Sequence, residues 1–237
     1  MIRAPIEIKI CGLTTPAAAA ACAAAGADCI GLVFHPPSPR HLTTTQAHAI
    51  AAALPAPVTR VGVFVRQSTD EILAIATAVG LHTVQLHGAV SAAACTHLLA
   101  HGLHVVQKLS GTAADWVAQA RTLPPTVGLL VECTQGVLPG GNGTPWNWSE
   151  ALPLRELRPF AVAGGLDPAN VAQALRASGA SAVDVSSGVE ATPGVKDLAK
   201  VATFIAAVRA AAVSGYGPVF QKPFAAGTPV QPAKGPV

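Results

Sequence analysis

Cys11, Gln85, His87, Glu132, Asp184 and Ser186 each lie at the end of an apolar run of this sequence. Thiol, imidazole and carboxyl groups take and give protons near neutral pH, and several of them at one place make a general acid–base site. Cys11 closes the stretch Glu7-Ile-Lys-Ile-Cys-Gly12. Alternate side chains of a strand face opposite ways, so Glu7, Lys9 and Cys11 share one face and Ile8 and Ile10 the other. Lys9 either biases Cys11 towards the thiolate or is neutralised by Glu7 as a structural ion pair, and the spacing leaves both open. His87 is open in the same way, between a hydrogen bond in the site and a satisfied place in the core.

Other residues are suited to anions. Gly164-Gly165 and Ser186-Ser187-Gly188 follow apolar runs, and glycine there lets backbone N–H groups approach a phosphate closely. A plain turn is the alternative for each. Three prolines stiffen His35-Pro-Pro-Ser-Pro-Arg40, which restricts where Arg40 points. A guanidinium held so is suited to bidentate capture of a carboxylate; otherwise it is a solvated arginine.

The elements that must position these residues repeat regularly. Strand-like runs at the N-terminal stretch, Cys29 to Phe34, Arg60 to Val65, Thr83 to His87, His104 to Leu109, Val127 to Cys133, Phe160 to Gly164 and Ala182 to Ser186 alternate with helical stretches. A poorer helix is expected near Ser149 to Leu157. Alternation of this kind means a parallel sheet with helical crossovers. A doubly wound open sheet could hold the units, but eight of them in about 210 residues match a closed (β/α)8 TIM barrel best. In that fold the strand ends converge on one mouth, and the loops after strands seven and eight hold phosphate. The expected division is a barrel over residues 1–213 and a proline- and glycine-rich tail, extended or mobile, over 214–237. A linker to a partner domain and an arm docking on another subunit are the other readings of that tail.

With 51% hydrophobic residues and 11% charged, the chain can bury a sizeable core. It has no apolar run of membrane-spanning length and no apolar signal region, so a cytoplasmic protein without membrane contact is expected. The net charge of +3 is scattered, which argues against nucleic acid. Five cysteines without a C-x-x-C pair argue against a disulfide framework or a zinc ribbon, so no metal is expected.

Lys9-Ile-Cys-Gly-Leu-Thr14, Ser38-Pro-Arg40, Val61-Gly-Val-Phe64, Gln85-Leu-His-Gly88, Gly140-Gly-Asn-Gly143, Ala163-Gly-Gly-Leu166 and Asp184-Val-Ser-Ser-Gly-Val-Glu190 together resemble phosphoribosylanthranilate isomerase, in order from residue 7 to about 209. The resemblance implies a cofactor-free, metal-free (β/α)8 barrel of tryptophan biosynthesis. Its reaction is the Amadori rearrangement of N-(5-phosphoribosyl)anthranilate to the 1-deoxyribulose product. It implies Cys11 as general base, an acid at the end of strand six, and Arg40 on the anthranilate carboxylate. His87, Asp184, Gly141 and Gly143 are the further substrate contacts, and Gly164, Gly165, Ser186, Ser187 and Gly188 the phosphate contacts. At the acid position this chain has Glu132 where the family has aspartate. The alternatives are the related phosphoribosyl-imidazole isomerisation of histidine biosynthesis and a non-catalytic phosphosugar-binding paralogue. Fusion or association with other tryptophan-pathway enzymes through the tail is the partner expectation.

Overall fold

The computed structural model describes residues 4–88, 90–132, 146–211 and 213–221. Eight parallel strands close a barrel in sequence order: β1 (Glu7–Cys11), β2 (Cys29–Val33), β3 (Thr59–Phe64), β4 (Thr83–Leu86), β5 (His104–Lys108), β6 (Gly128–Val131), β7 (Phe160–Ala163) and β8 (Ala182–Val185). The ring closes where β8 pairs with β1, in a register that puts Glu7 opposite Ala182 and Lys9 opposite Asp184. Ile8 and Ile10 are fully buried on the outward face, under the helices. Small and branched residues such as Cys29, Val61, Val106, Leu130, Ala161 and Ala182 fill the inside.

The crossover helices are α1 (Pro16–Ala24), α2 (Thr44–Ala52), α3 (Thr69–Val79), α4 (Ala92–Ala100), α5 (Ala113–Thr122), α6 (Val171–Ser178) and α7 (Leu198–Ala210). Their starts are set locally. Thr15 caps α1 with Pro16 in its first turn, and Thr43, Ser68 and Thr112 form capping boxes with Gln46, Glu71 and Asp115. The sixth crossover is a 3-10 helix, Trp148–Glu156, with Pro153 inside it. A proline there removes a donor and obstructs α-helical winding, which accounts for the poorer helical signal of that stretch. After β8 the chain forms a hairpin, β9 (Glu190–Thr192) with β10 (Val195–Lys196), that the strand count of the sequence does not anticipate.

The first residues of the tail, 215–220, lie against the barrel and not outside it. Gly215 bridges to Ala4, the Tyr216 hydroxyl donates to the Gly179 carbonyl, and Val219 and Phe220 are fully buried within the barrel cluster. Apolar side chains at 219 and 220 and an acceptor at Glu7 outweigh the extended bias of the surrounding prolines and glycines. Residues 222–237, to which the partner expectation attaches, lie outside the described residues.

Candidate active site

Polar side chains meet at the carboxyl ends of the strands. Cys11, Arg40, Gln85, His87, Glu132, Asp184, Gly164, Gly165, Ser186, Ser187 and Gly188 all line one cavity, whose apolar wall includes Val33, Val63 and Leu166. The strand alternation and the loop glycines thus converge as the sequence implies. Gly141 and Gly143 lie outside the described residues.

Lys9 is wholly buried, and its Nζ lies 2.8 Å from both oxygens of Asp184. The ion pair is made with Asp184, across the β1–β8 closure, and not with Glu7 as the pairing alternative had it. Burial alone would lower its pKa, but the Asp184 carboxylate and the Cys11 sulfur outweigh that and raise it. Lys9 therefore remains an ammonium. A buried pair of this kind contributes little net stability, because desolvation of both charges offsets their attraction. What it supplies is a fixed charge beside the thiol.

That charge does not by itself make Cys11 a thiolate. Burial, chiefly, and the nearby Asp184 carboxylate raise the thiol above its ordinary value, against the downward pull of Lys9 and Lys196. The bias from Lys9 is thus outweighed: Val33 and Val63 pack around the sulfur and remove water from it. The Ser186 hydroxyl donates to the Cys11 carbonyl at 3.0 Å and ties the ends of β1 and β8 together.

Glu132 follows β6 and lines the same cavity. It is 4% exposed, and burial pushes its pKa up to about 7 in spite of Lys108. Lys108 Nζ stands 3.2 Å from Oε1, yet among the described residues that oxygen has no aligned hydrogen-bond donor. A carboxyl so placed keeps its proton near neutrality. Gln85 Nε2 donates to His87 Nε2 at 2.6 Å, which leaves the ring proton on Nδ1, 3.6 Å from Glu132 Oε1. His87 thus faces the carboxyl and is not simply a core histidine.

The raised value has a stability consequence. Below about pH 4.5 Glu132 is protonated in both folded and unfolded chains; between 4.5 and about 7 only the folded chain holds the proton, so stability falls as pH rises through that window. The full cost at pH 8 is on the order of 3 kcal/mol, part of which the attraction lost at Lys108 would offset on substitution. Glu132→Gln is expected to raise the Tm at pH 8 by about 4 °C and to leave it nearly unchanged near pH 4, as thermal melts at the two pH values will read.

Arg40 is buried, not solvated, and its bidentate fork is used inside the protein. Nε and Nη2 bind Glu190 at 2.8 and 2.6 Å, and Lys196 reaches the same carboxylate at 2.7 Å. Glu190 and Lys196 come from the hairpin, which the sequence reading did not foresee as a support. Lys108 was also missed, although it shares the inward face of β5 with Val106 and the same two-residue alternation points to it.

Gly164 and Gly165 both have positive φ, 78° and 66°, so the turn after β7 is built for glycine. The Asn170 side chain donates to the Gly165 carbonyl at 2.7 Å and pins that turn. A Cβ on Gly188 would stand 1.9 Å from the Leu166 carbonyl, so only glycine lets the loops after β7 and β8 pass this closely.

The sequence pattern of N-(5'phosphoribosyl)anthranilate (PRA) isomerase matches residues 8–207. The chain belongs to this family. It is 45% identical over 201 residues to the N-(5'-phosphoribosyl)anthranilate isomerase of Desulfatibacillum aliphaticivorans, covering 84% of this chain and 91% of that one. Against the isomerase of Paramagnetospirillum magneticum the identity is 43%, with 86% and 98% covered. The Thermotoga maritima phosphoribosyl anthranilate isomerase structure superposes with a TM-score of 0.79 at 35% identity, covering 86% of this chain and 98% of that one. A second structure, of an isomerase in complex with reduced 1-(o-carboxyphenylamino)-1-deoxyribulose 5-phosphate, gives 0.76 at 33% identity, with the same shares covered. The protein is an isomerase of tryptophan biosynthesis with the (β/α)8 fold, and no helix among its described residues is long and apolar enough to cross a membrane.

Proposed function

We propose that the barrel catalyses the Amadori rearrangement of N-(5-phosphoribosyl)anthranilate to 1-(2-carboxyphenylamino)-1-deoxyribulose 5-phosphate, with Glu132 as general acid and Cys11 as general base. The observation that carries this is a carboxyl with its pKa raised to about 7 and a thiol beside a buried ammonium, both facing one cavity. Glu132 gives its proton to the furanose ring oxygen, the C1′–O bond breaks, and the nitrogen lone pair forms a Schiff base. Cys11 then takes the proton from C2′, and the electron pair left behind makes the enolamine that becomes the ketone. The Schiff base carries positive charge next to C2′. That charge adds to Lys9 in favouring the thiolate at the step that needs it. Closed, water-poor surroundings strengthen both effects.

The substrate's phosphate is assigned to Gly164, Gly165, Ser186, Ser187 and Gly188, its carboxylate to the edge of Arg40 that Glu190 leaves over, and its hydroxyls to His87 and Asp184. Asp184 has accepting capacity beyond its two bonds from Lys9. Gly141 and Gly143 complete the set as proposed contacts. A cytoplasmic setting suits the four free cysteines among the described residues, since thiols persist in reducing compartments.

Incubating the purified chain with the substrate and following the loss of anthranilate fluorescence tests the activity; no change at high enzyme concentration overturns it. For the phosphate loops, Gly188→Ala must push Leu166 and Ser187 apart, and is expected to raise KM on the order of tenfold with a smaller change in kcat. Steady-state kinetics decide, and an unchanged KM rejects the assignment.

A further inference from the structure

The family pattern ends at residue 207, yet the chain beyond it enters the bottom of the barrel. The hydrogen bonds of residues 219–221 are made with residues at the starts of strands. Glu7, the first residue of β1, accepts the backbone N–H groups of Val219, Phe220 and Gln221 at 2.8, 2.8 and 2.9 Å. Thr83, the first of β4, donates its hydroxyl to the Phe220 carbonyl, and His104, the first of β5, donates Nε2–H to the Val219 carbonyl. Gly128, the first of β6, leaves the space: a Cβ there would meet the Val219 carbonyl oxygen at 2.4 Å. The Phe220 ring lies inside, 5.4 Å from Lys9 Nζ.

Lys9 stands on the same inward face as Glu7, two residues further along the strand. With its carboxylate free, Glu7 is a natural partner for that ammonium. Here three N–H groups occupy it, and a ring covers the lysine from the Glu7 side. A cation near an aromatic ring is favoured in its charged form. The other ionisable groups that feel Lys9 are Asp184 on β8, Cys11 on β1, Cys29 on β2 and Glu132 on β6.

We propose that residues 215–221 form the floor of the active-site barrel and that Phe220 is a positioning residue. The segment occupies Glu7 and covers Lys9, so that the lysine's charge is delivered to Asp184 and Cys11. This rests on the reading of Cys11 as the base. Opening the floor lets Glu7 draw Lys9 down, which weakens the charge at the thiol and loosens Asp184 at the mouth.

The test uses the full-length protein with Phe220→Ala, Phe220→Leu and Gly128→Ala, and each Phe220 variant again with Glu7→Gln. Phe220→Ala and Gly128→Ala are expected to lower kcat on the order of tenfold, a smaller loss than misplacing a reacting group by 1 Å. KM should change less than kcat, because Arg40 and the phosphate loops are untouched and only the Asp184 contact is loosened. The pH midpoint for alkylation of Cys11, followed by peptide mass spectrometry, should move up. Phe220→Leu, which keeps an apolar plug, should recover most of the kcat. Adding Glu7→Gln should restore both readouts, since it removes the competing carboxylate; a purely structural floor would give no such rescue. If Phe220→Ala does not fold, Phe220→Leu with and without Glu7→Gln carries the same comparison at smaller amplitude. Folded Phe220→Ala or Gly128→Ala with unchanged kcat and an unchanged alkylation midpoint overturns the proposal, and so does a loss that Glu7→Gln leaves in place. The two readings fail separately: turnover retained in Cys11→Ala removes the base, while the alkylation comparison still judges the floor.

Discussion

Replacing Cys11 with alanine is expected to lower kcat by about 10²- to 10⁴-fold, the range that a single positioned proton-transfer group supplies. The fold should persist. Cys11 borders the cavity, and its sulfur packs mainly on Val33 and Val63, so its removal enlarges an existing hollow and opens no new one in the sealed core. Lys9 loses its hydrogen bond to the sulfur but keeps both bonds to Asp184. Cys11→Ser discriminates further, because a hydroxyl keeps the size and hydrogen-bonding reach of the thiol but is far too weakly acidic to be deprotonated by Lys9's charge. It should be almost as inactive as alanine. In the unmodified enzyme the raised thiol pKa makes alkylation of Cys11 slow at neutral pH and faster as pH rises. Single-turnover kinetics on variants with unchanged circular dichroism check the assignment, and near-normal turnover in Cys11→Ser would remove Cys11 from the chemistry.

Much of this site was legible because two periodicities carry it. The two-residue alternation of a strand puts Cys11, Gln85, Glu132 and Asp184 inside the barrel once the repeated βα pattern implies closure, and the glycine turns after β7 and β8 follow from the same topology. What was not legible depends on register and on distant chain. Lys9 could pair up or down its own face, and only the β8–β1 closure, 175 residues away in sequence, brings Asp184 within 2.8 Å. Arg40 had the stiff loop that fixes it, but its partner Glu190 lies 150 residues on, at the start of a hairpin too short to leave a pattern. The sign of the Cys11 shift turned on burial against charge, a balance that the local Lys-x-Cys spacing does not contain. The seat of residues 219 and 220 was not legible because proline and glycine content speaks of backbone freedom, while Phe220 is placed by a cavity of small barrel residues that no local window shows.

The pH dependence of the reaction follows from the two opposed groups. The active form needs Glu132 protonated, with its pKa near 7, and Cys11 deprotonated, with its pKa above the ordinary thiol value. The acid thus titrates below the base, and only a minor fraction of the enzyme holds both protons correctly at any pH. That fraction rises tenfold per pH unit below about 7, because thiolate is gained while the acid stays loaded. Above 7 each gain in thiolate is cancelled by loss of the Glu132 proton, so kcat/KM is expected to be flat until the thiol titrates, and to fall beyond it. The same curve would arise with the roles exchanged, so the profile of the native enzyme does not assign them. Glu132→Gln does. It should lower kcat/KM by about 10²- to 10³-fold, and the residual rate should no longer level off near 7 but climb on until Cys11 is fully ionised, because the cancelling group is gone. Were Glu132 the base, the residual rate would have no rising limb and would only fall as the thiol lost its proton. Glu132→Asp, which restores the family's carboxyl, should recover activity with the level region shifted, since a shorter side chain stands differently against Lys108 and His87 and takes a different share of their charge. Profiles of kcat/KM for the three proteins between pH 5 and 10 decide among these outcomes, and a levelling-off near 7 that survives in Glu132→Gln would show that another group sets it.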